Sequence, residues 1–540
     1  MGITTDQVDI QKISKTDDND GGYDEQIIDV ADFFDRVIDE YNEGAGPATL
    51  EADVQLARSI VPAGTGAFRD FSYLAPEIPE FINGNCVGCM TCVTQCPDTA
   101  ILGKVIEVDV LEQTLGQIED AGERDFMADQ FAVTNKFYKV PERKGDTPGQ
   151  FGIFIDPTKC KGCAECVEAC EDLGYNALKM IEKEDKTVPI YQKSIDFFRS
   201  LPPTPERFIN EKVAVDMMLA EQSMLYVGGA GSCAGCGEAT AIRMWMAALG
   251  YKYGRENIGI VAATGCNTVY GSTYPYNPYL VPWTNSLFEN APADAMGIRM
   301  RWDQMGWHDK QLWAMGGDGA MLDIGFQSLS RMLASGMNIK ALILDTQVYS
   351  NTGGQTSTAT YTGQDSKMYS HGKTISGKQE SRKEIGRIAM MHPNTFVAQT
   401  VASIPNHFYK SVLDAASFPG PAVVNCYTTC QPEHEVGDNM SRHQGKLAVE
   451  SRAFPVFIYD PRNGDTIRER LSLQGNPAQK EDWYTVPKTD ELIDFITFAR
   501  TEGRFSKQFD GDGNSSEVLL RAQADRLANW HLLQEMAGIR

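Results

Sequence analysis

The feature that most constrains this chain is a doubled spacing of cysteines. Cys86-x2-Cys89-x2-Cys92-x3-Cys96 is followed by Pro97, and Cys160-x2-Cys163-x2-Cys166-x3-Cys170 repeats the spacing with Glu171 in the proline position. Three thiolates two residues apart wrap a tight loop around one iron–sulfur cube, while the fourth, one helical turn on, points toward the other cube. The spacing therefore predicts two [4Fe-4S] clusters. One takes Cys86, Cys89, Cys92 and Cys170; the other takes Cys160, Cys163, Cys166 and Cys96. Zinc is the competing reading, but three thiolates at x2-x2 spacing are not its usual pattern.

Composition sets the surroundings. Thirteen cysteines in 540 residues do not make a short disulfide scaffold. The net charge of −24 argues against nucleic acid or an anionic membrane as partner, since both reward clustered Lys and Arg. No apolar run is long enough to span a bilayer, and the first residues hold no apolar signal core, so a cytoplasmic protein without a membrane partner is expected. Three regions follow. Residues 1–78 are an acidic segment whose Asp-rich start reads as disordered. Within it Val30, Phe33, Phe34, Val37, Ile38 and Tyr41 recur at helical spacing, either packed on the chain's own core or docking another subunit. Residues 79–200 hold the two quartets, with an insertion at 97–159. Residues 201–540 alternate strand and helix patterns and close on a long helix.

The third region carries a second constellation. Leu312–Met315 reads as a buried strand ending in Gly316, Gly317, Asp318 and Gly319. A helical face follows (Leu322, Phe326, Leu329, Leu333), then the strand Ala341–Leu344 and a loop from Asp345 to Gln355. A crossover of this length makes a right-handed βαβ unit with Asp318 and Thr346 at the carboxyl ends of two parallel strands, where open α/β sheets bind ligands. Glycines let backbone approach phosphate oxygens, and a carboxylate with neutral oxygens can hold Mg²⁺. Alone, GDG is also compatible with a nucleotide-binding or plain tight turn.

The remaining cysteines form a third group. Cys233 and Cys236 (CAGCGE) precede a helix, Cys266 ends the strand-like IGIVAATGC, and Cys426 and Cys430 close PAVVNCYTTC. If these strands join the same sheet, Cys266 and Cys430 emerge at its Asp318 edge. Residues alone leave a third cluster, a structural zinc or inert buried thiols open. His434 could complete a zinc site, though a solvated loop histidine is the plainer expectation.

GDG with a coordinating residue 28 positions after the aspartate, Thr346 in place of the usual Asn, and the string from Tyr349 to Gln355 resemble the pyruvate:ferredoxin (flavodoxin) oxidoreductase family. CAGCGE, ATGC and NSLFE (285–289) add to the resemblance. It implies an α/β fold: a parallel-sheet domain binding thiamine diphosphate (TPP), with a smaller α+β domain of the bacterial-ferredoxin type. It implies Mg²⁺ held by Asp318, Thr346 and the Val348 carbonyl. The TPP contacts would come from Gly317, Asp318, Gly319, Thr346, Val348, Asn351, Gly353, Gly354 and Gln355. A third [4Fe-4S] cluster would sit on Cys233, Cys236, Cys266 and Cys430, leaving Cys426 inside its strand. Asn351 and Glu238 are the candidate catalytic residues, Glu238 without the role of activating the cofactor.

The implied reaction is oxidative decarboxylation of a 2-oxo acid, pyruvate preferred, to acyl-CoA and CO₂. TPP acts as the electron sink, coenzyme A takes the acyl group, and three clusters pass electrons to ferredoxin or flavodoxin. The resemblance covers the family's C-terminal half. A second subunit with the pyrimidine-binding and substrate domains is therefore expected, in a hetero-oligomer such as a dimer of heterodimers. Lys159 and Lys161 are a candidate landing patch for the acidic carrier. The alternative is a pure iron–sulfur electron-transfer subunit with a non-catalytic α/β domain.

Overall fold

A computed structural model describes residues 30–44, 46, 49–50, 61–370, 372 and 376–540; the Asp-rich start expected to be disordered lies outside them. Among the described residues no helix is long and apolar enough to cross a membrane.

The helical run from Val30 to Asn42 buries Phe33, Val37 and Ile38 against Phe68 and Tyr276 of its own chain. The Tyr276 hydroxyl donates to the Asn42 side chain, tying down the end of the run.

The cysteine module is framed by antiparallel pairs. Strand β1 (Glu77–Phe81) pairs with β5 (Leu178–Glu182), Glu77 opposite Glu182. Strand β2 (Ile101–Glu107) pairs with β4 (Gly149–Ile155), Ile101 opposite Ile155, and the short β3 (Phe131–Ala132) joins β4. Both ends of the expected 97–159 insertion are thus paired strand, and the excursion proper runs over 108–148. Its helices Val108–Leu115 and Ala121–Asp129 pack Leu111 and Met127 on Ile106, Phe131, Phe154 and Phe198.

The large domain is built on one eight-stranded sheet. Its strands are β6 (Ile258–Ala263), β7 (Trp283–Ser286), β8 (Gln311–Gly317), β9 (Lys340–Asp345), β10 (Phe396–Val401), β11 (Ala422–Tyr427), β12 (Phe457–Tyr459) and β13 (Leu471–Ser472). The order is β13-β12-β10-β11-β9-β8-β6-β7. The strands from β10 to β7 are parallel; β12 and β13 run antiparallel at one edge. Strands β6, β9, β10 and β11 are buried along their whole length, which is why they read as continuous apolar runs.

Alternate side chains feed two cores. Trp313, Met315, Leu342, Leu344 and Cys426 pack on one face with Trp245 of the helix Gly237–Tyr253, in a core continuous with the cysteine module. Leu312, Ala314, Ala341 and Ile343 pack on the other with Leu329, Leu333 and Trp530 of the last helix, Glu517–Met536.

Candidate functional site

The two quartets fold with the same local geometry. Gly88 and Gly162, each just before the second cysteine, have φ of +73° and +70°; Met90 and Ala164, each just after it, have +65° and +62°. At Gly162 a Cβ would lie 2.4 Å from the Ala75 methyl, so the wrap has no room for a side chain. Successive turns of this kind aim backbone N–H groups inward, a concavity suited to anionic sulfur. The Gly88 amide donates to Cys86 Sγ at 3.4 Å and the Ala177 amide to Cys170 Sγ at 3.2 Å.

The helices Thr91–Gln95 and Glu165–Asp172 then carry the fourth cysteines across. Cys86, Cys89, Cys92 and Cys170 line one cavity; Cys96, Cys160, Cys163 and Cys166 line another. Burial raises the Cys92 thiol, and Cys86, Cys89 and Cys170 raise it further. Burial also raises Cys163, with Cys96 and Cys160 adding to it. Among the described residues no three His, Cys, Asp or Glu side chains converge tightly enough for a single metal ion; the thiols stand around cavities instead.

A third cavity is lined by Cys233, Cys236, Cys266 and Cys430. Its empty volume is about 680 Å³, against about 360 and 340 Å³ for the other two. Cys236 precedes the helix Gly237–Tyr253, Cys266 opens the helix Cys266–Gly271 after β6, and Cys430 follows β11. Gly235 makes the CAGC turn possible: its φ is +68°, and a Cβ there would sit 1.8 Å from the Asp438 carbonyl oxygen. Cys426 lies fully buried inside β11, away from this cavity, with its thiol donating to the Tyr427 carbonyl at 3.4 Å.

The Asp318 side is built from three oxygens. Thr346 Oγ1 donates toward Asp318 Oδ1 at 3.1 Å and lies 3.0 Å from the Val348 carbonyl. Ser350 Oγ donates to Thr346 Oγ1 at 2.6 Å, and Ser357 Oγ donates to Asp318 Oδ2 at 2.5 Å. Parallel pairing of β8 with β9, Gly317 opposite Leu344, brings the two loops together. Burial first, then the charge of Asp345, pushes the Asp318 carboxyl up to about 8. Asp345 itself is paired with Arg382. A buried carboxyl beside a hydroxyl and a carbonyl, with no ion-pair partner among the described residues, is a donor set that fits Mg²⁺, which prefers hard oxygen ligands.

A cavity opens above these oxygens. Glu238, Cys266, Gly317, Gly319, Thr346, Val348 and Asn351 line it. Asp318 lies fully buried beneath it, and Gly353, Gly354 and Gln355 do not line it either. They close the loop, with the Tyr349 amide donating to the Gln355 carbonyl and the Gly354 amide to the Tyr349 carbonyl, both at 2.9 Å. Glu238, Cys266, Thr346, Ser350 and Asn351 line both this cavity and the third cysteine cavity. The Glu238 carboxyl, with the Tyr270 hydroxyl 3.5 Å away, is pushed up to about 8 by burial and then by the charge of Asp318.

Two expectations are corrected. His434 is no solvated loop residue: it is fully buried, its Nε2 2.9 Å from the Thr346 carbonyl. Burial lowers its pKa well below the usual value, so the ring is neutral and donates from Nε2. The turn Gln431–His434 right after β11 folds it against the Thr346 loop. Lys159 and Lys161 form no surface patch. Lys159 Nζ is buried against the carbonyls of Ala67 and Arg69, and Lys161 pairs with Asp98 at 2.6 Å. Lys161 Nζ also donates to the Ser232 carbonyl at 2.8 Å, linking the second cavity to the third.

Ser350, Ser357 and Tyr270 carry no site expectation in the sequence, and His434 carries only that of a zinc ligand or a loop residue. Ser350 lies inside the Tyr349–Gln355 string, which could have signalled it; Ser357, 39 residues from its partner Asp318, carries no spacing signal.

Residues 263–426 match the family of thiamine pyrophosphate enzymes, C-terminal TPP binding domain. The chain is 27% identical to a probable pyruvate-flavodoxin oxidoreductase of Escherichia coli K12, over 86% of this chain and 42% of that protein. It is 25% identical to the pyruvate:ferredoxin oxidoreductase of Moorella thermoacetica, over 88% of this chain and 44% of that protein. The chain spans less than half the length of these curated relatives. A solved structure, the 2-oxoglutarate:ferredoxin oxidoreductase from Magnetococcus marinus with 2-oxoglutarate, coenzyme A and succinyl-CoA bound, is 21% identical with a TM-score of 0.33. That likeness covers 38% of this chain and 65% of that one.

Proposed function

We propose that this chain is the TPP- and cluster-bearing part of a 2-oxo acid:ferredoxin or flavodoxin oxidoreductase acting on pyruvate, with coenzyme A as acyl acceptor. The observation that carries the reading is the shared wall: one set of residues faces both the cavity above the buried Asp318 and the third cysteine cavity. A decarboxylase without redox function has no use for four thiols there, and a pure electron wire has no use for the oxygen cradle.

TPP supplies the carbanion and electron sink for decarboxylation when bound. Asp318, Thr346 and the Val348 carbonyl would hold Mg²⁺ and through it the diphosphate, while Gly317 and Gly319 let backbone come close. Ser350, Ser357 and His434 fix those ligands from behind. Asn351, which lines the cavity, would face the cofactor. Glu238, whose carboxyl pKa burial raises, would stand on the wall shared by the cofactor and cluster sites. Three [4Fe-4S] clusters would sit in the three cysteine cavities. The clusters would supply one-electron transfer: Cys233, Cys236, Cys266 and Cys430 would hold the one beside the cofactor site, Lys161 and Ser232 join that cavity to the one of the second quartet, and Cys89 of the first quartet is exposed. A partner chain or domain would supply the rest of the relatives' length, with the pyrimidine and substrate contacts.

The test is anaerobic purification with the natural partner, an iron count, and spin-resonance spectra after adding pyruvate with and without coenzyme A. About twelve irons per chain, four for each of three clusters, and a pyruvate-dependent radical signal are expected. Iron without any response to pyruvate would leave only electron transfer.

A further inference from the structure

Among the described residues, four of the six most deeply buried guanidinium groups have a carboxylate partner, and Arg452 and Arg243 do not. Arg382 pairs with Asp345, Arg504 with Glu502, Arg526 with Glu384 and Arg299 with Asp303. Arg452 donates to the carbonyls of Asp482, Pro477 and Ala478, lies over the Trp530 ring at 4.3 Å, and lines none of the cysteine cavities. Arg243, 4% exposed on the helix Gly237–Tyr253, has only backbone carbonyls. Its Nη1 donates to the carbonyls of Val93 and, at 2.9 Å, Cys96; its Nη2 donates to that of Ile101 at 3.3 Å. Among the described residues no carboxylate pairs with it. Asp98, whose charge it feels, is taken by Lys161 at 2.6 Å.

A charge buried without a counter-charge is costly, and burial normally comes with pairing. What adjoins Arg243 is Cys96, the residue that crosses from the first cysteine run to line the second cavity with Cys160, Cys163 and Cys166. A cube held by four thiolates is anionic, and an added electron makes it more so. Net charge and hydrogen bonding near the sulfurs are among the levers that set such potentials. We propose that Arg243 is the counter-charge of the cluster on Cys96, Cys160, Cys163 and Cys166, and that it raises that cluster's reduction potential. The inference rests on the cluster reading above. The competing role is mechanical: Arg243 caps the carbonyls at the end of the helix Thr91–Gln95. A cap would hold the helix and leave the potential where it is.

Full-length wild type, R243Q and R243K, loaded with clusters and purified anaerobically, separate the two in a redox titration followed by spin resonance. The second-cavity signal is identified as the one lost in C163S. In R243Q its midpoint is expected to fall enough to change the oxidised-to-reduced ratio at least tenfold, about 59 mV for a one-electron couple. The other two signals should move less. R243K keeps the charge and loses the planar fork, and is expected to titrate close to wild type. Should R243Q fail to load this cluster, loading by R243K with a wild-type midpoint supports the charge role. An unmoved midpoint in loaded R243Q, an R243K midpoint displaced as far as that of R243Q, or failure of both variants to load would overturn it. Absence of iron at this site in the wild type would sink the cluster reading and the inference together; an unmoved R243Q midpoint beside a loaded wild type sinks the inference alone.

Discussion

Asp318 is fully buried, and its carboxylate is the only formal charge among the three oxygens that meet at Thr346. Replacing it by Asn keeps the shape and removes the charge a divalent cation needs. D318N is expected to lose Mg²⁺-dependent TPP binding in calorimetry. S357A, which only frees Oδ2, should weaken that binding by roughly 10-fold, as for other residues behind a metal ligand. Binding unchanged in both would remove the cradle from the site.

A second residue titrates away from the site. His407, on the helix Pro405–Ser417, is buried with Nδ1 2.9 Å from Thr400 Oγ1 and no partner on Nε2 among the described residues. Burial, then the charge of Lys410, lowers its pKa from 6.5 to about 4. Between those values the unfolded chain takes up a proton that the folded chain refuses. Its contribution is therefore fully present above pH 6.5 and is lost as pH falls toward 4, roughly 3 kcal/mol in all. H407Q should flatten that limb of the pH–stability curve in denaturant titrations.

Among the elements, the two short helices Thr91–Gln95 and Glu165–Asp172 matter most, because each delivers a cysteine to the cavity framed by the other run. C170S is therefore expected to remove the same cluster signal as C89S, although the two lie in different runs, and C96S the same signal as C163S. Loss of the signal belonging to a variant's own run would mean that each run closes on itself. In the CAGC turn, G235A drives a methyl onto the Asp438 carbonyl and should cost the third cluster, about four irons per chain. C426S should keep all three clusters and C430S should not.

For the molecule as a whole, the cysteine module is fixed to the sheet domain rather than tethered to it. The Glu165 carboxylate accepts from the amides of Ser441 at 3.0 Å and Arg442 at 2.8 Å, opening the helix Ser441–Glu450. Cys236 and Arg243 sit on or beside one helix, so the third cavity and the counter-charge of the second move together. The cluster-loaded chain alone is expected to show no 2-oxo acid-dependent bleaching of its clusters, and to gain it when the partner chain or domain is added. Turnover by the lone chain would end the split-site reading.

The cysteine quartets grouped by spacing are the quartets that line the first two cavities, because covalent geometry decides what a thiol two residues, or one helical turn, away can reach. The same holds for GDG and Thr346: a strand, a crossover and a parallel strand leave few places for their ends. Local pattern could not say that Lys159 and Lys161 are buried, that His434 closes on the Thr346 carbonyl, or that Gly353, Gly354 and Gln355 stand clear of the cavity. Nor could it bring Glu238 between two cavities or leave Arg243 without a carboxylate. Those outcomes depend on how eight strands order themselves in one sheet and on what a second module lays across it. They are decided by packing between residues from tens to about 150 positions apart, where spacing along the chain carries no information.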